Sequence, residues 1–165
     1  MKAMKRVILM FVAVVALALA PSAAAAAHYD SVEARLFEGY DLRLDWVESG
    51  LHPNQRISYR VTMDVHRTLA CAHKHHDKFT TDSISFTSIR GEFVLNPFST
   101  REVFALVIRL VGPANGFNVF TTPPHPCHDG SQPRVVAVTY SNITLYDDLS
   151  GIHAPAVPSV VSYTA

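Results

Sequence analysis

The sequence is poor in the features that mark several functional classes. It contains only two cysteines and seven glycines in 165 residues, and its formal net charge is zero. Beyond residue 27 it has no cluster of Lys and Arg, and no apolar run approaches the roughly 20 residues that a membrane span requires. The lack of a basic cluster excludes a nucleic-acid-binding surface, and the scarcity of cysteine excludes a disulfide-rich miniature scaffold. The lack of a long apolar run excludes a membrane span after the N-terminal segment.

Catalytic signatures are also missing. The sequence has no G-x-S-x-G motif, no H-E-x-x-H motif and no glycine-rich phosphate loop. Asp147 and Asp148 follow a predicted strand, where an adjacent acidic pair either coordinates Ca²⁺ or, more simply, forms a solvated turn. We therefore predict that the protein is not an enzyme and assign no catalytic residue. A hydrolase with an unrecognised site stays open, and a buried carboxyl pair in a deep pocket would favour it.

The N-terminus has the features of an export signal. Three basic residues precede an apolar run from Val7 to Ala20, and an alanine tract with A-x-A cleavage sites ends at Ala27. This order of segments predicts a cleaved signal peptide over residues 1–27. Cleavage removes three of the 14 basic residues and none of the 14 acidic ones, which leaves a formal charge of −3 with neutral histidines. We expect the mature protein to be secreted or periplasmic.

Alternation of apolar and polar residues is the dominant local pattern. Residues 40–46 and 57–66 alternate strictly, which is typical of half-buried strands, and turn residues between them predict that the two strands pair as a hairpin. Further strand signals occupy residues 31–37, 83–89, 92–95, 116–120, 134–140 and 143–146. The pattern predicts a mainly β fold, an antiparallel β-sandwich or barrel of about seven to nine strands.

Two segments leave the fold open in detail. Residues 99–111 fit both the helical and the strand period of apolar residues. A capping box and a Gly-Pro stop favour one helix, whereas β-branched residues and the surrounding strands favour a strand by a small margin. After a single β domain over residues 28–153, the proline-containing segment 154–165 is predicted to be a loosely ordered C-terminal tail.

The two cysteines, Cys71 and Cys127, each lie within a histidine-rich segment. Two cysteines in an oxidising compartment usually pair, so we predict a disulfide, for which a chain-entropy model gives roughly 4 kcal/mol. The bridge would gather candidate Zn²⁺ or Cu²⁺ ligands, namely His73, His75, His76, His125 and His128. The spacing of the histidines around neither cysteine is a recognised metal motif. Two polar loops that happen to contain histidines explain the clusters more simply. No cofactor is expected, and zinc or copper remains the alternative.

Two less favoured interpretations use the same segments. If the cysteines were reduced, Cys71 and Cys127 could join His73 and His128 in a tetrahedral zinc site, although export argues against free thiolates. Five neighbouring imidazoles could also act as a pH switch, because protonated histidines repel one another.

Aromatic residues offer one more candidate surface. Tyr40, Trp46 and Tyr59 could form a stacking platform for a sugar or peptide, but their alternation with charged residues predicts that they lie in the core. The sequence therefore favours a non-catalytic binding module for a protein or glycan partner, stapled by one disulfide. The first alternative is an exported metal-binding protein that uses the histidine-rich loops.

Overall fold

The computed structural model describes residues 26–71, 78–94, 100–111, 118–120, 127 and 130–165. These ranges contain β-strands and no helix, so the predicted mainly β fold is confirmed. The described part of the chain thus has no helix of the length and hydrophobicity that a membrane crossing requires. The strands are β1 (His28–Phe37), β2 (Asp41–Ser49), β3 (Arg56–Cys71), β4 (Lys78–Val94), β5 (Arg101–Val111), β6 (Asn118–Phe120), β7 (Arg134–Asp147), β8 (Ile152–Pro155) and β9 (Val160–Thr164).

The strands form two sheets. The first sheet has the order β1-β2-β5-β6, and the second has the order β4-β3-β7-β8, with β9 also paired to β7. All of these pairs are antiparallel except β5 with β6. The segment before β9 joins the two sheets, because Ala34 N donates to Val157 O at 3.1 Å and Val157 N donates to Val32 O at 2.9 Å. The first sheet is therefore hydrogen-bonded, along β1, to the segment that leads into β9 of the second sheet.

The core lies between the two sheets and follows from the alternation. In β2 the even-numbered residues from Leu42 to Glu48 are buried, and in β3 the odd-numbered residues from Ile57 to Leu69 are buried. A strand presents successive side chains to opposite faces, so this pattern gives each sheet one apolar face to cover. The largest fully buried side chains include Trp46, Tyr140 and Leu44.

The predicted hairpin between residues 40–46 and 57–66 is wrong. β2 pairs with β1 and β5, whereas β3 pairs with β4 and β7. The connection at residues 50–55 crosses from one sheet to the other. Within it, Leu51 N donates to Thr100 O at 3.1 Å. Alternation determines which face of a strand is buried and says nothing about which strand lies at its edge, so the turn residues alone could not identify the partners.

Both ambiguous segments are β-structure. Arg101–Val111 pairs with β2, with Trp46 opposite Phe104, so the strand prediction is confirmed and the helix is not formed. The predicted loosely ordered tail is wrong, because residues 160–164 pair in register with residues 137–141 of β7. Val161 is 8% exposed and packs on the core, which gives this segment a reason to be ordered despite its prolines.

Candidate functional site

The predicted disulfide between Cys71 and Cys127 is present. The Cα atoms are 5.7 Å apart, which is a normal separation for a bridged pair. Cys127 is buried, and its backbone N–H donates to Ser131 O at 2.8 Å. The bridge fastens the end of β3 to the segment that precedes β7.

The predicted metal ligands His73, His75, His76, His125 and His128 lie outside the described residues. Among the residues that are described, no group of three or more His, Cys, Asp and Glu side chains is placed to hold a metal ion. The metal hypothesis therefore stays a prediction from the sequence.

The aromatic residues lie where the core prediction placed them. Trp46 and Tyr59 are 1% and 2% exposed, and their rings meet edge to face at a centroid distance of 4.8 Å. Phe104 stacks on Trp46 at 5.4 Å. Tyr40 is half-buried against Tyr163, with ring centroids 5.9 Å apart. Trp46 and Tyr59 thus lie in the interior and Tyr40 packs against its edge, so these three aromatic residues do not form an exposed platform.

The outer face of the second sheet is a largely polar surface that the sequence analysis did not identify. It is built by alternate residues of β3, β4, β7 and β9, which pair directly across the strands. Most of its side chains are hydroxyls. We call it the polar face and define it as Thr62, Asp64, His66, Thr68, Thr81, Ser83, Ser85, Thr87, Thr139, Ser141, Asn142, Ser162 and Thr164.

One row of the polar face runs across four strands. His66 lies opposite Ser83 of β4 on one side and Thr139 of β7 on the other, and Thr139 lies opposite Ser162 of β9. His66 Nδ1 and Ser83 Oγ are 2.6 Å apart, and the hydroxyls of Thr139 and Ser162 are 3.1 Å apart. Neighbouring strands are separated by about 4.8 Å, so the row extends over roughly 14 Å.

Asp64 is the charged centre of the polar face. Ser85 Oγ donates to it at 2.8 Å and Asn142 Nδ2 donates at 2.7 Å. These hydrogen bonds, led by that of Asn142, hold the pKa of Asp64 below its usual range. Asn142 adopts φ 54° next to an irregularity in the pairing of β3 and β7, a conformation that Asn tolerates better than most residues. The bulge directs its side-chain amide toward Asp64.

A second polar group is hidden inside the sandwich. Glu48 of β2 is 0% exposed and Asp147 of β7 is 1% exposed, so two carboxyl groups from opposite sheets are buried together. We call them the carboxyl pair. Tyr59 Oη donates to Glu48 Oε2 at 2.7 Å, and Leu149 N donates to Asp147 Oδ1 at 2.9 Å.

Burial governs the ionisation of this group. Loss of hydration raises the pKa of Glu48 to about 7, and the neighbouring Asp147 contributes in the same direction, while the hydrogen bond from Tyr59 opposes it. Burial also raises the pKa of Tyr59 and of Tyr29 above their usual range. The two phenols therefore act as neutral neighbours of the carboxyl pair.

The prediction of a solvated turn at Asp147 and Asp148 is wrong for its first member. Asp147 points into the interior, whereas the carboxylate of Asp148 lies at the surface and pairs with Arg60 at 3.0 Å. The guanidinium of Arg60 also covers the ring of Tyr146 at 4.0 Å. The alternation of β7 would have placed Asp147 on the inner face, in phase with Ile143 and Leu145, and that signal was available in the sequence.

The burial of the carboxyl pair bears on the hydrolase alternative. Hydrolysis by two carboxyl groups requires that a substrate reach them. With exposures of 0% and 1%, Glu48 and Asp147 offer no such access in this conformation. The pair therefore adds no support to a hydrolase.

Comparison with known proteins identifies no family. No family model matches the sequence, and no curated protein matches it. A solved structure of the sporulation control protein Spo0M from Bacillus subtilis is similar with 16% identity, over 86% of this chain and 48% of that one, at a TM-score of 0.30. This chain thus spans about half the length of that protein. A superposition at this TM-score carries no inference about fold or function.

Proposed function

We propose that the protein is an exported, non-catalytic β-sandwich domain that binds a polyhydroxylated ligand, a glycan, on the polar face. The observation that supports this most directly is the row of His66, Ser83, Thr139 and Ser162 beside a hydrogen-bonded Asp64. Hydroxyl and imidazole groups donate and accept hydrogen bonds and a carboxylate accepts them, which suits the hydroxyl groups of a sugar. The strands hold them at regular spacing before any ligand arrives.

The composition of the polar face favours a glycan over a protein partner. The centres of protein interfaces are enriched in aromatic residues, Met and Arg. The described members of the polar face are polar, and most of them are small. Ala137 lies among them between Thr68 and Thr164, the exposed Val160 lies opposite Ser141, and Tyr146 follows at one end beneath Arg60. A large polar surface without an apolar centre would bind another protein weakly.

Export is part of the proposal and is supported by the disulfide. Cystine bridges persist in oxidising compartments and are rare in the cytosol. The Cys71–Cys127 bridge is therefore consistent with the predicted signal peptide and with encounters with extracellular or envelope glycans.

The test is binding of mature protein to an array of polysaccharides, followed by calorimetry on any hit. Thr139→Val keeps the β-branched shape and removes the central hydroxyl, and His66→Ala removes the imidazole. Each lost hydrogen bond is worth about 1 kcal/mol, so the double variant should bind about tenfold or more weakly. Ser31→Ala, on the outer face of the other sheet, is the matched control and should bind as the wild type does.

Unchanged affinity in the Thr139→Val/His66→Ala variant, with the fold verified by circular dichroism, would contradict the proposal. Failure of every glycan, together with capture of a defined protein that competes at the same residues, would replace the glycan with a protein partner.

The disulfide also favours a second candidate function, metal capture by the histidine-rich segments. Cys71 directly precedes one of those segments and Cys127 lies within the other, so the bridge links the two. Titration of Zn²⁺ and Cu²⁺ into metal-stripped protein with an intact bridge tests it. A stoichiometric site that is lost in a His75→Ala/His128→Ala variant would support metal handling, and weak heats at several sites would contradict it.

A further inference from the structure

We infer that the carboxyl pair is a pH-sensitive switch: a proton on Glu48, buried beside Asp147, holds the two sheets together at this end of the sandwich, and loss of that proton loosens it. This inference is independent of the polar face and of its ligand. It rests first on where the two residues lie. Glu48 is near the end of β2 in one sheet, and Asp147 is the last residue of β7 in the other.

The hydrogen bonds of the pair leave two buried oxygens for which a proton is a suitable partner. Glu48 Oε2 accepts from Tyr59, and Asp147 Oδ1 accepts from Leu149 N. The remaining oxygens, Glu48 Oε1 and Asp147 Oδ2, are buried and have no partner when both groups are treated as carboxylates. Tyr59 donates to Glu48 Oε2 and lies directly opposite Asp147 in the ladder between β3 and β7, which brings the two carboxyl groups to the same part of the core. We therefore assign one proton on Glu48 as the partner of both oxygens.

Among the residues that the structure describes, few positively charged groups surround the pair. The titratable and charged groups that face it from the packed elements are His28 and Tyr29 of β1, Tyr59 of β3, Glu102 opposite Glu48 on β5, and Asp148 in the turn after β7. His28 is more than half exposed, and Arg60 is engaged with Asp148. The groups nearest the pair are therefore neutral phenols and further carboxyls, and a doubly ionised pair would be repelled.

The loops at this end of the sandwich are attached to the backbone beside the pair. Asp147 O accepts from Gly151 N at 2.9 Å, and Asp148 N donates to Ser58 O at 2.9 Å. Gln55 Nε2 reaches Ser150 Oγ at 3.4 Å, so the connection at residues 50–55 lies against the turn at residues 148–151. Separation of the two carboxylates would act directly on both loops.

The direction of the pH effect follows from the raised pKa of Glu48. Its folded value of about 7 lies above the unfolded value near 4.5, so the folded protein holds the proton more tightly. The stabilisation is fully present below about pH 4.5 and is lost as the pH rises to about 7. The switch is closed in acid and loosened at neutral and alkaline pH.

The test is urea unfolding of the mature protein from pH 5 to pH 8, with the disulfide intact. A single linked proton changes the unfolding equilibrium constant by at most about tenfold per pH unit, so we expect roughly a 100-fold increase from this pair over the range. Glu48→Gln should remove that increase, because the amide accepts from Tyr59 and donates to Asp147 without ionising. Glu33→Gln, an exposed carboxyl on β1, is the control and should keep the wild-type dependence.

Asp147→Asn provides a second variant in case Glu48→Gln does not fold. Its amide still accepts from Leu149 N and donates to Glu48, so the pH dependence should again be reduced. Hydrogen exchange, corrected for the intrinsic effect of pH, should show loss of protection at residues 50–55 and 148–151 of the wild type alone. A wild-type pH dependence retained in both variants, or equal loop protection at pH 5 and pH 8, would overturn the inference.

Discussion

At the scale of single residues, Tyr59 connects the carboxyl pair to the aromatic core. Its ring packs against Trp46 and Phe104 at centroid distances of 4.8 and 5.1 Å, while its hydroxyl donates to Glu48 Oε2. A hydrogen bond to an ionised carboxylate favours the charged form, so Tyr59 limits how far burial raises the pKa of Glu48. The same residue therefore contributes apolar packing and sets the pH range of the switch.

Tyr59→Phe separates these two roles, since it keeps the ring and removes the donor. The loss of a partner for a buried carboxylate should cost about 1–3 kcal/mol, with the larger loss at pH 8 and the smaller at pH 5, where Glu48 is protonated. Loss of the donor also raises the pKa of Glu48, which moves the loss of stability to higher pH. Urea unfolding at both pH values measures this, with Tyr163→Phe as control. Equal losses at the two pH values would contradict it.

At the scale of elements, β9 completes the second sheet. It pairs with the central part of β7, contributes Ser162 and Thr164 to the polar face, and buries Val161. β7 is therefore covered on one edge by β3 and on the other by β8 and β9. An uncovered edge strand is a template for pairing with other chains, so β9 protects the sheet as well as extending it.

A chain truncated after Ala156 should accordingly be less stable and more prone to aggregate. Burial of Val161 alone is worth about 1.5–3 kcal/mol, and the ladder between β9 and β7 is lost in addition. Thermal unfolding and light scattering measure the two effects. A point variant, Val161→Ala, isolates the packing part and should be intermediate. An unchanged melting temperature in both would indicate that the C-terminal segment is loosely ordered after all.

At the scale of the whole molecule, the disulfide and the carboxyl pair lie at opposite ends of the sandwich. Tyr59 is near the start of β3 and Cys71 is its last residue, a separation of roughly 40 Å along an extended strand. Effects at sites this far apart, without shared partners, are usually additive. The bridge and the switch should therefore stabilise the fold independently.

A Cys71→Ser/Cys127→Ser variant tests this. The bridge joins residues 56 positions apart, for which the chain-entropy model gives a loss of about 4 kcal/mol when it is removed. The pH dependence assigned to Glu48 and Asp147 should persist in the variant. Urea unfolding at pH 5 and pH 8 gives both quantities, and loss of the pH dependence together with the bridge would show that the two ends are coupled.

Local patterns in the sequence were sufficient for most of the strands, for the buried faces of β2 and β3, and for the bridge, whereas β8 and β9 were not predicted. Alternation in β2 and β3 placed Trp46 and Tyr59 in the core, because side chains in a strand have a period of two whatever their neighbours are. The pairing of Cys71 with Cys127 followed from the count of two cysteines together with the predicted export signal. Each of these conclusions depends on information within a few residues or on a count.

Only the tertiary structure decided which strands are neighbours, and the two new sites depend on that. β2 and β3 are consecutive yet lie in different sheets, and β3 instead brings His66 and Asp64 beside Ser83, Thr139 and Asn142. Glu48 meets Asp147 because the inner faces of both sheets pack against each other, although neither residue is near the other in sequence. Strand order is set by burial summed over the whole core, and no local period in the sequence encodes it.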